Sequence, residues 1–451
     1  MGKELDLLDD SAETEVGSYF VANYPPFSAW SADYLPDVGR ALAVPPAAPG
    51  SESDVETPLG LYLHIPFCRK RCTFCYFRVY TDKNAADVRR YLDALTTEIE
   101  LYSRQPATAG RDLEFVYFGG GTPSFLSGDQ LESLVERIAK AWTWQEAREV
   151  TFECEPGTLQ KGKLEAIRRI GTTRLSLGVE HFDDEVLAHN GRAHKSAEVF
   201  RAFAWAREVG FPEINIDLLA GMVGDTEAKW KHTVEEALKL DPDSVTIYQM
   251  EIPGNSRIAA DVRSGRSTVP IADWPTKRAW MDYAFKQFEQ AGYRVSSAFT
   301  AVKPAADQPA DTFVYRDLVW HGADMIGAGV ASFSHIAGVH FQNHADWDGY
   351  VGSLDESTLP LARAFVPTPH QRMIREFILQ LKQGGIQGEY FRRKFGVEVA
   401  EEFQEAMISL VRDEFAVLDG DDLTLTRAGL LRADGLLPRF YEPQFQNGQC
   451  Q

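Results

Sequence analysis

From about residue 59 to residue 298 the chain alternates short apolar runs with longer amphipathic stretches. The runs at 61–65, 114–118, 149–153, 174–179, 213–219 and 244–250 are rich in aliphatic and aromatic residues and bounded by turn formers, so they read as buried strands. Between them, residues 85–103, 128–142, 162–170, 196–209, 226–240 and 271–291 repeat apolar positions every three or four residues, the period of a helix packed on one face. Six strand–helix units in strict alternation predict an α/β domain with a parallel sheet and helices outside, either open or curled into a barrel. The pattern changes after it. Residues 298–308 read as a loop, and 313–334 as a return to the core. Helices are expected at 371–383, 388–395 and 399–411, followed by a hairpin at 415–418 and 423–425 around DGDD, a small C-terminal winged-helix-like unit.

The organisation expected is therefore fourfold. Residues 1–56 form an arm with aromatic islands (Tyr19, Phe20, Tyr24, Phe27, Trp30) and a Pro/Ala-rich linker, more in keeping with a cover over one end of the core than with a lid. Residues 57–300 form the core, 301–365 complete it, and 366–451 make the C-terminal domain and tail.

Composition narrows the classes of function. The 451 residues are 44% hydrophobic and 25% charged, with a net charge of −20, which disfavours nucleic acid and anionic membranes as partners. The winged-helix-like unit, at 10 Lys and Arg against 12 Asp and Glu over residues 368–441, lacks the basic face that DNA binding requires. No apolar run is long enough to span a bilayer, and the N-terminal stretch has no signal-type hydrophobic core. The expectation is a cytoplasmic protein. Five cysteines in so long a chain make no disulfide framework and suit a reducing compartment; Cys154 reads as a small strand residue and Cys450 as inert tail.

Three of those cysteines, Cys68, Cys72 and Cys75, fall in C-x3-C-x2-C just after the first strand. Thiolates in a loop at a strand end can hold a metal centre. Three of them leave one iron of a four-iron cluster free for a substrate, and they also fit three quarters of a zinc site; spacing alone leaves both open. In parallel α/β folds chemistry sits at the carboxyl ends of the strands. The later strands there deliver Gly119-Gly120-Gly121-Thr122, Glu153, Glu180 with Arg192 beyond it, Asp217, and Tyr248 to Glu251. Each alone could be a turn or a cap; the series points to a site. His64, His335 and His344 read as structural or surface residues, and Asp324 as a core-facing acid.

YLHIPFCRKRCTFC, FGGGTP, ECEPGT, LSLGVEHF, INIDLLAG and MIGAGVASFS together resemble the radical S-adenosylmethionine (SAM) enzymes of the oxygen-independent coproporphyrinogen III oxidase (HemN-like) family, over roughly residues 59–440. The resemblance implies a partial (β/α)6 radical SAM barrel in which Cys68, Cys72 and Cys75 hold a [4Fe–4S] cluster whose fourth iron chelates SAM. Tyr62, Gly120, Glu153 and Phe333 match contacts of that first SAM. Phe74, Gly121, Thr122, Arg192, Asp217 and Met250 match contacts of a second. It further implies that SAM, once cleaved reductively, gives a 5′-deoxyadenosyl radical that abstracts hydrogen.

Three departures shape the expected activity. Phe77 stands where the oxidases carry a fourth cysteine. The stretch Tyr315-Arg316-Asp317-Leu318-Val319-Trp320 keeps only the tryptophan of the haem chaperones' signature. Glu180 replaces the family's glutamine, exchanging an amide for an acid that cannot donate when ionised. The residues expected to act in catalysis are the three cysteines with Tyr62 and Glu180. The expected function is a radical SAM enzyme abstracting hydrogen from a small molecule, a tetrapyrrole or other natural product, with or without methyl or methylene transfer from a second SAM. The alternatives are an oxygen-independent coproporphyrinogen III oxidase and, behind it, a haem chaperone. The implied partner is a reductant such as flavodoxin or ferredoxin, and the chain is expected to act as a monomer.

Overall fold

Apolar residues at every second position put one face of each central strand against helices. In the computed structural model, which describes residues 22–46, 57–252, 256–264, 271–304 and 313–446, six parallel strands carry this pattern. They are β1 (Leu59–Ile65), β2 (Phe115–Gly120), β3 (Glu149–Cys154), β4 (Arg174–Glu180), β5 (Glu213–Ala220) and β6 (Ser244–Gln249). Leu61, Phe118, Phe152, Leu175, Ile216 and Ile247 face outward into the main core, where they pack with Tyr91, Leu131, Ile167, Val199, Trp230 and Phe285 of the surrounding helices. Helix starts are marked by the caps the sequence offers: Asn84 with Asp87 before Ala85–Ser103, and Ser127 with Gln130 before Gly128–Ile138.

Further strands extend the sheet at both ends: β7 (Arg294–Val295), β8 (Thr300–Val302), β9 (Asp324–Ala328), β10 (Phe333–Ile336), β11 (Val339–Asn343) and β12 (Leu361–Phe365). The order is β12-β11-β10-β9-β1-β2-β3-β4-β5-β6-β8-β7, with β9 parallel to β1 and β8 antiparallel to β6. Part of the stretch expected as a loop from residue 298 is thus strand β8, which pairs its backbone with β6. The expected helix 399–411 is broken at Phe403 into Val399–Glu402 and Gln404–Arg412. Its aromatic ring joins Phe377 and Phe440 in a second core, which also holds Met373, Phe391 and Leu410 and takes in Tyr24 from the arm. Among the described residues no helix is long and apolar enough to cross a membrane.

The inward strand positions carry polar groups. Arg174 donates to Glu213 at 2.9 Å, Ser176 to Asp217 at 3.0 Å, and Asn215 to both Ser176 and Asp217 at 2.8 Å. Glu149 accepts from Thr151 and from the amide of Val314, the first residue of the helix Val314–Trp320. Such groups are tolerable inside a barrel only when bonded to one another, and this network forms its floor. Asp324, the expected core-facing acid, pairs with buried Arg111 at 2.8 Å.

The arm lies against the far side of the sheet. Ser31 bridges Ala364, Phe27 stacks on Phe333 at 4.3 Å between centroids, and Trp30 packs on Phe333 and His340. Tyr19, Phe20 and Cys450 lie outside the described residues. Trp30 is almost fully buried, so Trp30→Ala should cost about 3 kcal/mol of unfolding free energy in a denaturant titration. A loss under about 1 kcal/mol would mean the arm does not hold this edge.

Candidate functional site

The carboxyl ends of the six strands open onto a cavity of about 450 Å³. The loop after β1 crosses its mouth. The Thr73 amide donates to the Asn190 carbonyl, and the Thr73 carbonyl accepts from Ile258, each at 3.1 Å. Phe74 meanwhile packs with Leu219, Met222 and Met250. This fastening holds Cys68, Cys72 and Cys75 on the cavity wall. Cys68 lies 3.3 Å from the Thr122 hydroxyl, and Arg192 reaches Cys72 Sγ at 3.4 Å. Burial pushes the Cys68 thiol up to about 11, and raises Cys75 as well. These are sulfurs that release their protons to a soft metal centre rather than to water.

The glycine turn keeps the space beside the sulfurs clear. A Cβ on Gly121 would come within 2.9 Å of the Pro66 carbonyl carbon and 3.1 Å of Cys68 Sγ, so only glycine lets this backbone approach so closely. On β4 the register slips between Gly178 and Glu180, and Glu180 sits at φ 64°, an uncommon conformation for a residue with a side chain. The bulge turns Glu180 into the cavity, 3.5 Å from Arg192. Arg192 also donates to the Gly178 carbonyl at 2.7 Å, while its buried Nε has no partner. Burial raises the carboxyls of Glu180 and Asp217, with Arg192 partly opposing it in both. Three soft donors, a glycine cradle, an arginine with a spare donor and buried carboxylates fit an iron–sulfur centre with an amino-acid-bearing ligand.

Of the residues named from sequence, Cys68, Cys72, Cys75, Phe74, Gly120, Gly121, Thr122, Glu153, Glu180, Arg192, Asp217 and Met250 all line this one cavity. Tyr62 and Phe333 do not. Tyr62 lies one layer deeper, stacked at 5.8 Å on Tyr117, which is itself part of the wall and donates to Glu153 at 2.7 Å. Phe333 is on β10, covered by Phe27 and Trp30 of the arm. His64 sits beneath Gly120 with burial pushing it down to about 4, a neutral ring in the wall's support. His335 stacks on His340 at 4.6 Å, away from the cavity. Sequence reasoning missed Tyr117, Trp274, Arg278, Phe299 and the segment 430–435, which the C-terminal domain brings to the mouth. Tyr117 was open to detection as an inward position of its strand; segment 430–435 carries no motif and arrives only through packing.

Glu153 makes the electrostatics of the cavity testable. Burial raises its carboxyl to about 7 from an ordinary 4.5, with the Tyr117 hydroxyl partly offsetting. The folded chain holds this proton more tightly than the unfolded one. The stability it contributes is therefore full below pH 4.5 and lost as pH rises through 7. Glu153→Gln cannot ionise, so its stability relative to the parent should rise by about 2–3 kcal/mol between acidic pH and about pH 8, in unfolding titrations of metal-free protein. A difference that stays flat with pH would contradict this.

The profile of the Radical SAM superfamily matches residues 62–237. A Mycobacterium tuberculosis H37Rv protein named heme chaperone HemW is 30% identical over 400 residues, spanning 87% of this chain and 97% of the relative. The oxygen-independent coproporphyrinogen III oxidase of Escherichia coli K12 is 28% identical over 336 residues, 72% of each chain. The solved structure of coproporphyrinogen III oxidase (HemN) from Escherichia coli has the same fold, with a TM-score of 0.80 over 93% of this chain and 96% of that one at 24% identity. These names back the oxidase and chaperone alternatives better than the methyl transfer expected from the sequence.

Proposed function

Because the chain belongs to the HemN-like family of radical SAM proteins, we propose that it is a SAM-dependent oxidoreductase that acts on a carboxylated tetrapyrrole of the coproporphyrinogen type. The family's cofactors are a [4Fe–4S] cluster and SAM. Cys68, Cys72 and Cys75 would hold the cluster, with Gly120, Gly121, Thr122, Glu153, Glu180, Arg192 and Asp217 around the SAM. When bound, the cluster supplies the electron that cleaves SAM to the carbon radical taking hydrogen from the substrate. The protein's own part is to bind, orient and exclude water.

The observation that carries the substrate class is the charge of the cavity. Its wall holds six cationic side chains (Arg69, Lys70, Arg71, Arg192, Arg278, Arg432) and six acids. Of these acids, Glu153, Glu180 and Asp217 are partly buried deeper in the cavity, and desolvation raises all three carboxyls. Lys70 and Arg71 stand exposed beside the cysteines, next to Arg69, which pairs with Glu155 at 2.7 Å. In a chain of net charge −20, a run of cations at this part of the wall suits an anion, and propionate side chains meet that need. Removal of a hydrogen beside a propionate, loss of its carboxylate as CO2 and transfer of one electron to an acceptor would complete an oxidative decarboxylation. Water would be kept out by the mouth segment, where Gln249 donates to the Leu431 carbonyl at 3.1 Å.

A second reading follows from Phe77, which leaves the oxidases' fourth thiol position empty of sulfur, and from the near-complete span of the HemW relative. One experiment separates the two. Reconstituted protein is incubated without oxygen with reductant, SAM and coproporphyrinogen III. The oxidase reading expects CO2, a vinyl-bearing product and 5′-deoxyadenosine. No SAM cleavage there, together with stoichiometric binding when the same protein is titrated with haem, would replace it by the chaperone reading.

A further inference from the structure

We propose that Tyr76 and Phe77 form an aromatic platform at the cavity mouth that stacks on a pyrrole ring of the substrate and so sets its position relative to the cysteine triad. This rests on the tetrapyrrole reading above and adds to it the residues that seat the ring.

Large apolar side chains left half exposed on a folded surface ask for an occupant, above all when they line a concavity. Tyr76 is 50% exposed and Phe77 46%, consecutive in sequence and both on the wall of the same cavity as Cys75. Their rings lie 4.6 Å apart between centroids at 31°, a shared inclined face rather than two independent rotamers. Phe77 lies two residues past Cys75, so its ring is carried by the same short turn that presents the cysteine. Neither ring is needed by a core, since neither belongs to an apolar cluster of the interior. Trp274, Phe299, Leu430 and Leu431 add further apolar wall to the cavity. With cations close by at Lys70 and Arg71, the site offers an aromatic face and carboxylate-binding groups side by side. That is the pairing a pyrrole bearing propionates would use.

The test uses full-length, cluster-reconstituted protein and the fluorescent probe coproporphyrin III, titrated to obtain a dissociation constant. Phe77→Ala should bind it about 5- to 10-fold more weakly, and Tyr76→Ala similarly. Phe77→Trp and Tyr76→Phe, which keep a ring, should stay within about twofold of the parent. Iron content and the affinity for SAM should be unchanged in all four. Parent binding that survives both alanine variants unaltered overturns the platform while leaving the tetrapyrrole reading intact. A parent that binds no coproporphyrin III at all overturns the reading itself. Loss of SAM affinity in step with the probe would assign the rings to the nucleoside and also overturn the proposal.

Discussion

Cys72→Ala will yield a colourless protein that cleaves no SAM. A cluster held by three thiolates has no spare protein ligand, so removing one leaves two irons without a protein donor and the cubane is lost rather than weakened. Cys72 is also the sulfur that Arg192 approaches at 3.4 Å, on a loop pinned through Thr73 to Asn190 and Ile258. The loop's anchors do not involve the sulfur, so the variant should fold with the stability of the parent in its metal-free form. Iron content, the visible absorbance of the reconstituted protein and 5′-deoxyadenosine formation are the three readouts. A variant that remains brown and active would remove the cysteine assignment.

Arg192→Met should keep its iron and lose SAM cleavage by about 10²- to 10³-fold, the usual consequence of deleting one preorganised charged donor from a water-poor site. Arg192 is nearly buried, bonded to the Gly178 carbonyl, beside Glu180, and left with an unpartnered Nε. Without Arg192, the carboxyls of Glu180 and Asp217 lose a cation that opposes their desolvation, so both should be raised further. The fall should appear chiefly as weaker SAM affinity in equilibrium binding. Cleavage within about threefold of the parent at saturating SAM, with unchanged affinity, would place Arg192 outside the site.

Much of this was legible in the sequence because parallel strands repeat every second residue and the surrounding helices every three or four. Ser196–Val209 and Gly388–Phe395 have the bounds their periodicity predicts. The cysteine spacing and the polar residues just past each strand were legible for the same reason, since a parallel sheet sends them all to one end. What escaped depends on contacts rather than period. Arg294–Val295 and Thr300–Val302 are too short to show an alternation, and their strand form comes from pairing with each other and, for Thr300–Val302, with β6. The break at Phe403 follows from its ring joining Phe377 and Phe440 in the second core. Tyr62 and Phe333 lie outside the cavity wall, Tyr62 stacked on Tyr117 and Phe333 under Phe27 and Trp30, a depth no one-dimensional pattern records. The turn of Glu180 into the cavity rests on a bulge whose left-handed residue is not a glycine, so its sequence gave no warning.

The most direct measurement of the central claim is electron paramagnetic resonance of the anaerobically reconstituted and reduced protein, recorded with and without SAM. The account predicts the signal of a reduced four-iron cluster, near one cluster per chain, whose shape changes when SAM is added. A reduced protein with no such signal, or with one indifferent to SAM, or a purified protein carrying zinc in its place, would contradict it.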